Sequence, residues 1–424
     1  MKKSFLLGLL CCSYFVLNAQ TAKEEINDNI YLSAANYYAY PNPTSKLTPA
    51  PSGYKPFYLS HYGRHGSRYL IDPNDYKYPL HVLQEAKHND VLTGLGENTL
   101  TILDSISAMA EGRYGELTAL GARQHKEIAA RMYRNFPEIF QGDATIDARS
   151  TVVIRCILSM MAECNQLQAL NPKLHIAADA SHHDMYYMNN NDPYFVNIRE
   201  GNRIDSLFAD LKKKYAHPER LMKSLFKDTD YIKWKIDGTE LMIRLYSVAV
   251  NMQSHDTDME LFSLFTKDEL YDLWRITNVY WYAAFGPAPL TEGKMPYIQA
   301  NLLENFLDTA DTCIVKKDNT ATLRFGHESC LLPLVCLLEL DNADYQTTDL
   351  DNLDKEWRNY KFFPMASNVQ FIFYRKKKSD DILLKVLLNE TEATLPVETD
   401  MAPYYHWKDV ESYYRNKLAS FRKN

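Results

Sequence analysis

Three short segments hold most of the residues able to do chemistry. The first is Arg64-His65-Gly66-Ser67-Arg68, the second is Arg149-Ser150-Thr151 with Arg155 a helical turn further on, and the third is His327-Glu328. Arginine and histidine dominate them. Two arginines flanking a histidine repel one another unless an anion joins them, and the glycine after the histidine lets the backbone bend close to a ligand. Arg155 falls in an otherwise apolar stretch, where an unpaired charge is costly, so it needs a carboxylate or a ligand. Together the segments ask for an anion with several oxygens, and a phosphate group fits best.

The surrounding elements are what could bring them together. Residues 57–62 read as a strand ending in the first segment, 145–148 as a strand ending in the second, and 321–325 as a strand ending in the third. In open α/β sheets ligands bind outside the carboxyl ends of the strands, and helix N-termini there add N–H donors and a positive dipole end. Residues 94–110 have helical spacing. Thr118 reads as the N-cap of a helix that Pro137 stops. An apolar helix runs to about Leu170, and 174–180 reads as another strand. Val369, Phe371 and Phe373 alternate with Gln370, Ile372 and Tyr374; with 382–388 they predict a hairpin at the rim of the main sheet. Residues 29–52 read as an irregular lead-in. Between His182 and Gly286 the pattern is helix upon helix, with Thr266-Lys267-Asp268-Glu269 as a capping box. Residues 297–310 predict an amphipathic helix, and another starts near Leu331 with Pro333 in its first turn. The predicted fold class is α/β: a mostly parallel sheet flanked by helices, with an inserted α-helical cap domain. The boundaries are 20–181 and 287–424 for the core and 182–286 for the cap.

Arg64-His65-Gly66-Ser67-Arg68 matches the Arg-His-Gly-x-Arg signature of the histidine acid phosphatases. That branch of the histidine phosphatase superfamily includes phytases and multiple inositol polyphosphate phosphatases. Phosphoglycerate mutases share only Arg-His-Gly, so Arg68 favours the acid phosphatase branch. Gly115-Glu116-Leu117-Thr118-Ala119-Leu120-Gly121 with Gln124-His125 resembles the family's helix start. Arg149-Ser150-Thr151 with Arg155-Cys156 resembles its second phosphate-binding segment. Leu323-Arg324-Phe325-Gly326-His327-Glu328 followed by Leu331-Leu332-Pro333-Leu334 resembles its distal histidine motif. The resemblance implies a histidine phosphatase-like fold and roles that make physical sense. His65 attacks phosphorus and splits the hydrolysis into two steps through a phosphohistidine. Arg64, Arg68 and Arg155 neutralise the phosphate oxygens, with His327 as a further donor. Glu328 protonates the leaving oxygen and then activates water. Arg149 and Ser150 are supporting candidates. No metal or other cofactor is implied.

The distal motif departs from the family, which usually has His-Asp, or His-Ala-Glu in inositol polyphosphate phosphatases. Here Glu328 follows His327 directly and Ser329 comes next, so a carboxylate one methylene longer stands in the aspartate's place. Proton donation is kept in kind; the change bears on geometry and substrate choice. By likeness, Arg155-Cys156 and the Leu-Leu-Pro-Leu run favour an inositol polyphosphate phosphatase resembling phytase. A broad acid phosphatase or a sugar-phosphate phosphatase is the nearest rival. A reading of another class, a protein that captures phosphorylated ligands without turnover, is opposed by the complete catalytic set.

Composition sets limits. The formal net charge is −7, and an acidic chain is a poor nucleic-acid binder; the partner expected is a small, polyanionic phosphate ester. Lys2 and Lys3, an uncharged apolar run and the small Ala19 read as an export signal over 1–19, placing the product in a periplasm or outside the cell. That run is short for a membrane span, and Cys11 and Cys12 lack the small preceding residue a lipid anchor needs. Beyond the signal, Cys156, Cys164, Cys313, Cys330 and Cys336 lack zinc-site spacing and read as buried thiols. His182-His183-Asp184 reads as a polar hinge where the cap starts rather than a metal site. Asp184 to Asn189 is a candidate pocket rim, and Lys212 to Lys214 a solvated helix face. Asn389-Glu390-Thr391 is a glycosylation triplet by pattern only. Nothing in the sequence specifies an oligomeric state.

Overall fold

The computed structural model describes residues 20–189, 191–316 and 320–423. The export signal expected over 1–19 lies outside the described residues. The strands are β1 (Tyr54–Arg64), β2 (Thr145–Ser150), β3 (His175–Asp179), β4 (Ala321–Gly326), β5 (Asn368–Lys376), β6 (Ile382–Leu388), β7 (Thr391–Glu392) and β8 (Tyr405–His406). They form one sheet in the order β3-β2-β4-β1-β5-β6-β7, with β8 on β6. The four strands from β3 to β1 are parallel, and β5 joins β1 antiparallel. The 57–62 strand is longer than expected because β1 passes Pro56 at a register shift. Register sets the geometry of the site: Gly63 pairs with Phe325, and Phe325 with Ser150. Three strands therefore end level, and their following residues share one edge.

β1 is buried on both faces from Tyr58 onward because both faces of the sheet are covered. Leu59 packs with Ile128, Met132, Met160 and Leu167 of the Ala119–Asn135 and Ile154–Leu170 helices. Tyr58 and Tyr62 face the opposite way, into a larger cluster with Phe306, Leu331 and Leu334. That cluster continues without a break into Leu241, Met242 and Leu245 of the Gly238–Asn251 helix. Every regular element described between His182 and Phe285 is helical. The capping signals hold: the Thr118 hydroxyl accepts from Gly121 N, and Thr266 and Glu269 form the reciprocal box.

Four expectations need adjustment. The irregular lead-in contains a 3-10 helix at Ile30–Tyr37. The amphipathic helix begins at Ala300, after a 3-10 segment at Met295–Gln299. The helix expected from Leu331 begins at Glu328, with His327 as N-cap, so Pro333 sits beyond the first turn. The Ser329 carbonyl then lacks its helical N–H partner, since proline has none to give. In the glycosylation triplet, Asn389 Nδ2 donates to the Lys361 and Phe362 carbonyls, so its amide is already engaged. All five cysteines of the described residues are buried thiols. No helix among the described residues is long and apolar enough to cross a membrane.

Candidate active site

The loop after β1 is held from every side. Arg64 N donates to Ser367 O, His65 N to Gly326 O and Ala366 N to His65 O. Gly66 N donates to Ser159 Oγ at 3.1 Å, and Ser67 N to Gln124 Oε1 at 2.9 Å. Gln124 Nε2 returns a bond to Ser67 Oγ at 3.0 Å, and Thr118 N donates to Ser67 O. Gly66 and Gly121 interlock: a Cβ on Gly66 would stand 2.3 Å from Gly121 O, and one on Gly121 would stand 2.2 Å from Ser67 O. Glycine is required here by close approach. On the Ile154–Leu170 helix, Arg155, Ser159 and Glu163 lie on one stripe. Ser159 Oγ also donates to Arg155 O, and Glu163 accepts from His125 Nδ1 at 2.9 Å.

His65 is fully buried, and its Nδ1 lies 2.9 Å from its neighbour's carbonyl, Gly66 O. A carbonyl only accepts, so Nδ1 carries the proton and Nε2 is left with a free lone pair. Burial also holds the imidazole well below its ordinary pKa, so the ring is neutral near pH 7. Arg64 donates to the carbonyls of Asn36 and Phe363 and, at 3.1 Å, to Glu328 Oε2. Burial pulls it down to about 10, which leaves it charged. Arg68 lies over the Tyr37 ring, donates to Tyr69 O, and places Nη2 3.5 Å from Glu328 Oε1. Arg155 Nη2 is 3.5 Å from His327 Nδ1. Because Arg155 can only donate, His327 accepts through Nδ1, and its Nε2–H donates to Thr151 Oγ1 at 3.2 Å. Burial first, and the nearby arginines, lower His327 to about 4. Burial alone would raise Glu328, but the guanidiniums of Arg64 and Arg68 hold it well below the usual carboxylate range.

Arg64 Nη2, Arg68 Nε and Arg155 Nε are buried without a hydrogen-bond partner. Such donors are expensive to leave unmet, and three converging guanidiniums define a site for an anion. His65, His327 and Glu328 offer ligand atoms within 4.8 Å of one another, but the guanidiniums around them disfavour a cation there.

The structure thus brings together His65, Arg64, Arg68, Arg155, His327 and Glu328. Arg149 does not join them: its guanidinium pairs with Asp147 at 2.8 Å and Asp179 at 3.4 Å, carboxylates of its own and the edge strand. Ser150 is buried and turns its hydroxyl to Thr151 O. His182 and His183 are exposed. In the expected rim segment, the Met188 carbonyl accepts from Tyr62 OH, which also receives His327 N. The sequence reading missed the Asn36 and Phe363 carbonyls and the Tyr37 ring. Gln124 and Thr151 stand inside the motifs that resemble the family, and their polar side chains beside the site residues were the available signal for their supporting bonds.

A family model of the histidine phosphatase superfamily (branch 2) matches residues 63–389. No curated protein matches the chain. Among solved structures, the Bifidobacterium longum multiple inositol polyphosphate phosphatase in complex with phosphate superposes with a TM-score of 0.77 at 18% identity, covering 91% of this chain and 98% of that one. The same enzyme in complex with inositol hexasulfate gives 0.76 at 18% identity, covering 90% and 97%. The phytase from D. castellii gives 0.65 at 13% identity, covering 92% and 85%. At these identities the likeness speaks for the fold.

Proposed function

The chain belongs to branch 2 of the histidine phosphatase superfamily and is a phosphoric monoester hydrolase; from that premise we propose that it works through a phosphohistidine on His65, with inositol polyphosphates as its substrates. The observation that carries the mechanism is the unprotonated Nε2 of His65 set among three guanidiniums, each with one buried N–H that meets no protein acceptor. Nε2 attacks phosphorus while Arg64, Arg68 and Arg155 hold the phosphate oxygens, so fixed positive charge meets developing negative charge. Glu328 gives a proton to the leaving oxygen, and its carboxylate then takes one from the water that cleaves the N–P bond. The inositol polyphosphate assignment is supported by the motif likeness and by the solved relatives, one of which carries inositol hexasulfate. We further assign 1–19 as an export signal, with a periplasmic or extracellular product, and 182–286 as a cap domain that selects the substrate.

One observation favours a second substrate class. Ile71 and Arg155 both lie against Gly115, and Ile71, Ile154 and Leu158 are exposed. An apolar rim beside a phosphate-binding arginine suits a broad acid phosphatase acting on esters with apolar leaving groups. The test is phosphate release from phytate and from an aryl phosphate, with chelator present, for wild type and His65→Ala. Phytate turnover lost in the mutant supports mechanism and substrate together. Aryl phosphatase activity alone keeps the mechanism and selects the second class. Turnover that survives His65→Ala refutes the phosphohistidine.

A further inference from the structure

Glu328 makes the contacts that a phosphate oxygen would make. Its Oε2 is 3.1 Å from Arg64 Nε and 3.2 Å from His65 Nε2, and its Oε1 is 3.5 Å from Arg68 Nη2. Attack on phosphorus needs the phosphorus about 3–3.5 Å from Nε2, the distance at which the carboxylate now stands. The two cannot share that place. The imidazole is not what keeps the carboxylate there, since Nε2 has no hydrogen-bond partner and two lone pairs face each other. Arg64 and Arg68 hold it. The direct His327-Glu328 sequence makes this reach available, because the glutamate starts its helix and has one methylene more than aspartate.

Resting on the phosphatase reading, we propose that Glu328 is a built-in competitor of phosphate: the ester displaces its carboxylate from Arg64 and Arg68, and the displaced carboxylate takes up one proton, which it later gives to the leaving oxygen. The charged and titratable groups around it among the described residues are compatible with this order. Arg64, His65 and Arg68 come from β1 and its loop and Arg155 from the Ile154–Leu170 helix, Tyr37 lies against Arg68, and His327, Cys156 and Cys330 are also near. While the arginines serve the carboxylate it stays ionised. Once they serve a dianion, a second buried negative charge beside it is costly unless protonated. The side chain is 13% exposed, so water can deliver the proton. The proton then moves to the ester oxygen as the N–P bond forms and the P–O bond breaks.

Sulfate is the probe, because it stays a dianion from pH 5 to 8 and any proton taken up belongs to the protein. In a pH-stat at constant ionic strength, wild-type protein near pH 6 is expected to take up close to one proton per sulfate bound. Glu328→Gln is expected to bind sulfate at least tenfold more tightly, read from the shift of the melting temperature with sulfate, and to take up none. Glu328→Asp, whose shorter side chain reaches the arginines less well, serves if the amide variant does not fold, with severalfold tighter binding expected. Sulfate binding no tighter than wild type in the variant that folds, or proton uptake unchanged by Glu328→Gln, overturns the proposal. The phosphohistidine reading survives that result, since it stands or falls on His65→Ala turnover.

Discussion

Gly66→Ala tests whether the loop after β1 sets the position of the nucleophile. The added methyl would meet Gly121 O at 2.3 Å and Gly121 C and Cα at 2.7 Å, whereas ordinary contact begins at 3.4 Å. Backbone is on both sides, so the loop itself must move by about 1 Å. Overpacking of this kind costs about 1–3 kcal/mol of stability, and a misplacement of about 1 Å costs roughly a hundredfold in rate. The expected outcome is a kcat/KM on aryl phosphate lowered about a hundredfold, with a melting temperature lowered by a few degrees. Gly121→Ala, which brings a methyl to 2.2 Å from Ser67 O, should reproduce both effects from the other side. Gly94→Ala is the control. It opens the Gly94–Ala110 helix with nothing within 4 Å of the new methyl, so activity should hold and stability should rise by up to about 1 kcal/mol. A Gly66→Ala enzyme within threefold of wild type would refute the reasoning: the interlock would then be packing without consequence for the nucleophile.

Arg149→Ala should leave kcat/KM within about twofold, because the guanidinium is committed to Asp147 and Asp179 and half-exposed pairs of this kind contribute about 1 kcal/mol or less; a hundredfold loss would return Arg149 to the phosphate site. Thr151→Val leaves the Nε2–H of His327 buried and unmet, a loss of roughly 1–3 kcal/mol. Steady-state kinetics should show kcat down about tenfold, and a lowered melting temperature with unchanged kcat would mean the bond serves stability alone. His327 has a folded value of about 4 against an ordinary 6.5. The unfolded chain therefore binds its proton more readily between those values, and stability is lost as pH falls from 6.5 towards 4, by on the order of 3 kcal/mol. Urea midpoints at pH 7 and pH 4.5 should differ less in His327→Gln than in wild type, and an equal drop in both proteins would contradict that assignment.

The sequence displayed what depends on neighbours in the chain. Thr118 and the Thr266–Glu269 box marked helix starts because capping is a local hydrogen bond. The three polar turns showed their common edge because each follows a strand and precedes a helix. What it hid depends on residues distant in the chain. Arg64 is seated on the carbonyls of Asn36 and Phe363, and every residue has a carbonyl. Arg149 looked like Arg64, and only the pairing of β2 with β3 gives it Asp179. The last catalytic helix starts before the apolar Leu-Leu-Pro-Leu run, because Glu328 is already helical with His327 as N-cap.

The stripe of Arg155, Ser159 and Glu163 has a consequence for how the chain can change length. One inserted residue turns every later side chain of a helix by about 100°. Between Arg155 and Ser159 it would swing the Gly66 support off the loop, and before Glu163 it would take the carboxylate from His125. Single insertions and deletions between Arg155 and Glu163 should therefore be lethal to activity even at the solvent-facing positions there, whereas substitutions at those positions should pass. A deep scan of length variants across residues 154–170 would show a block of intolerance between Arg155 and Glu163.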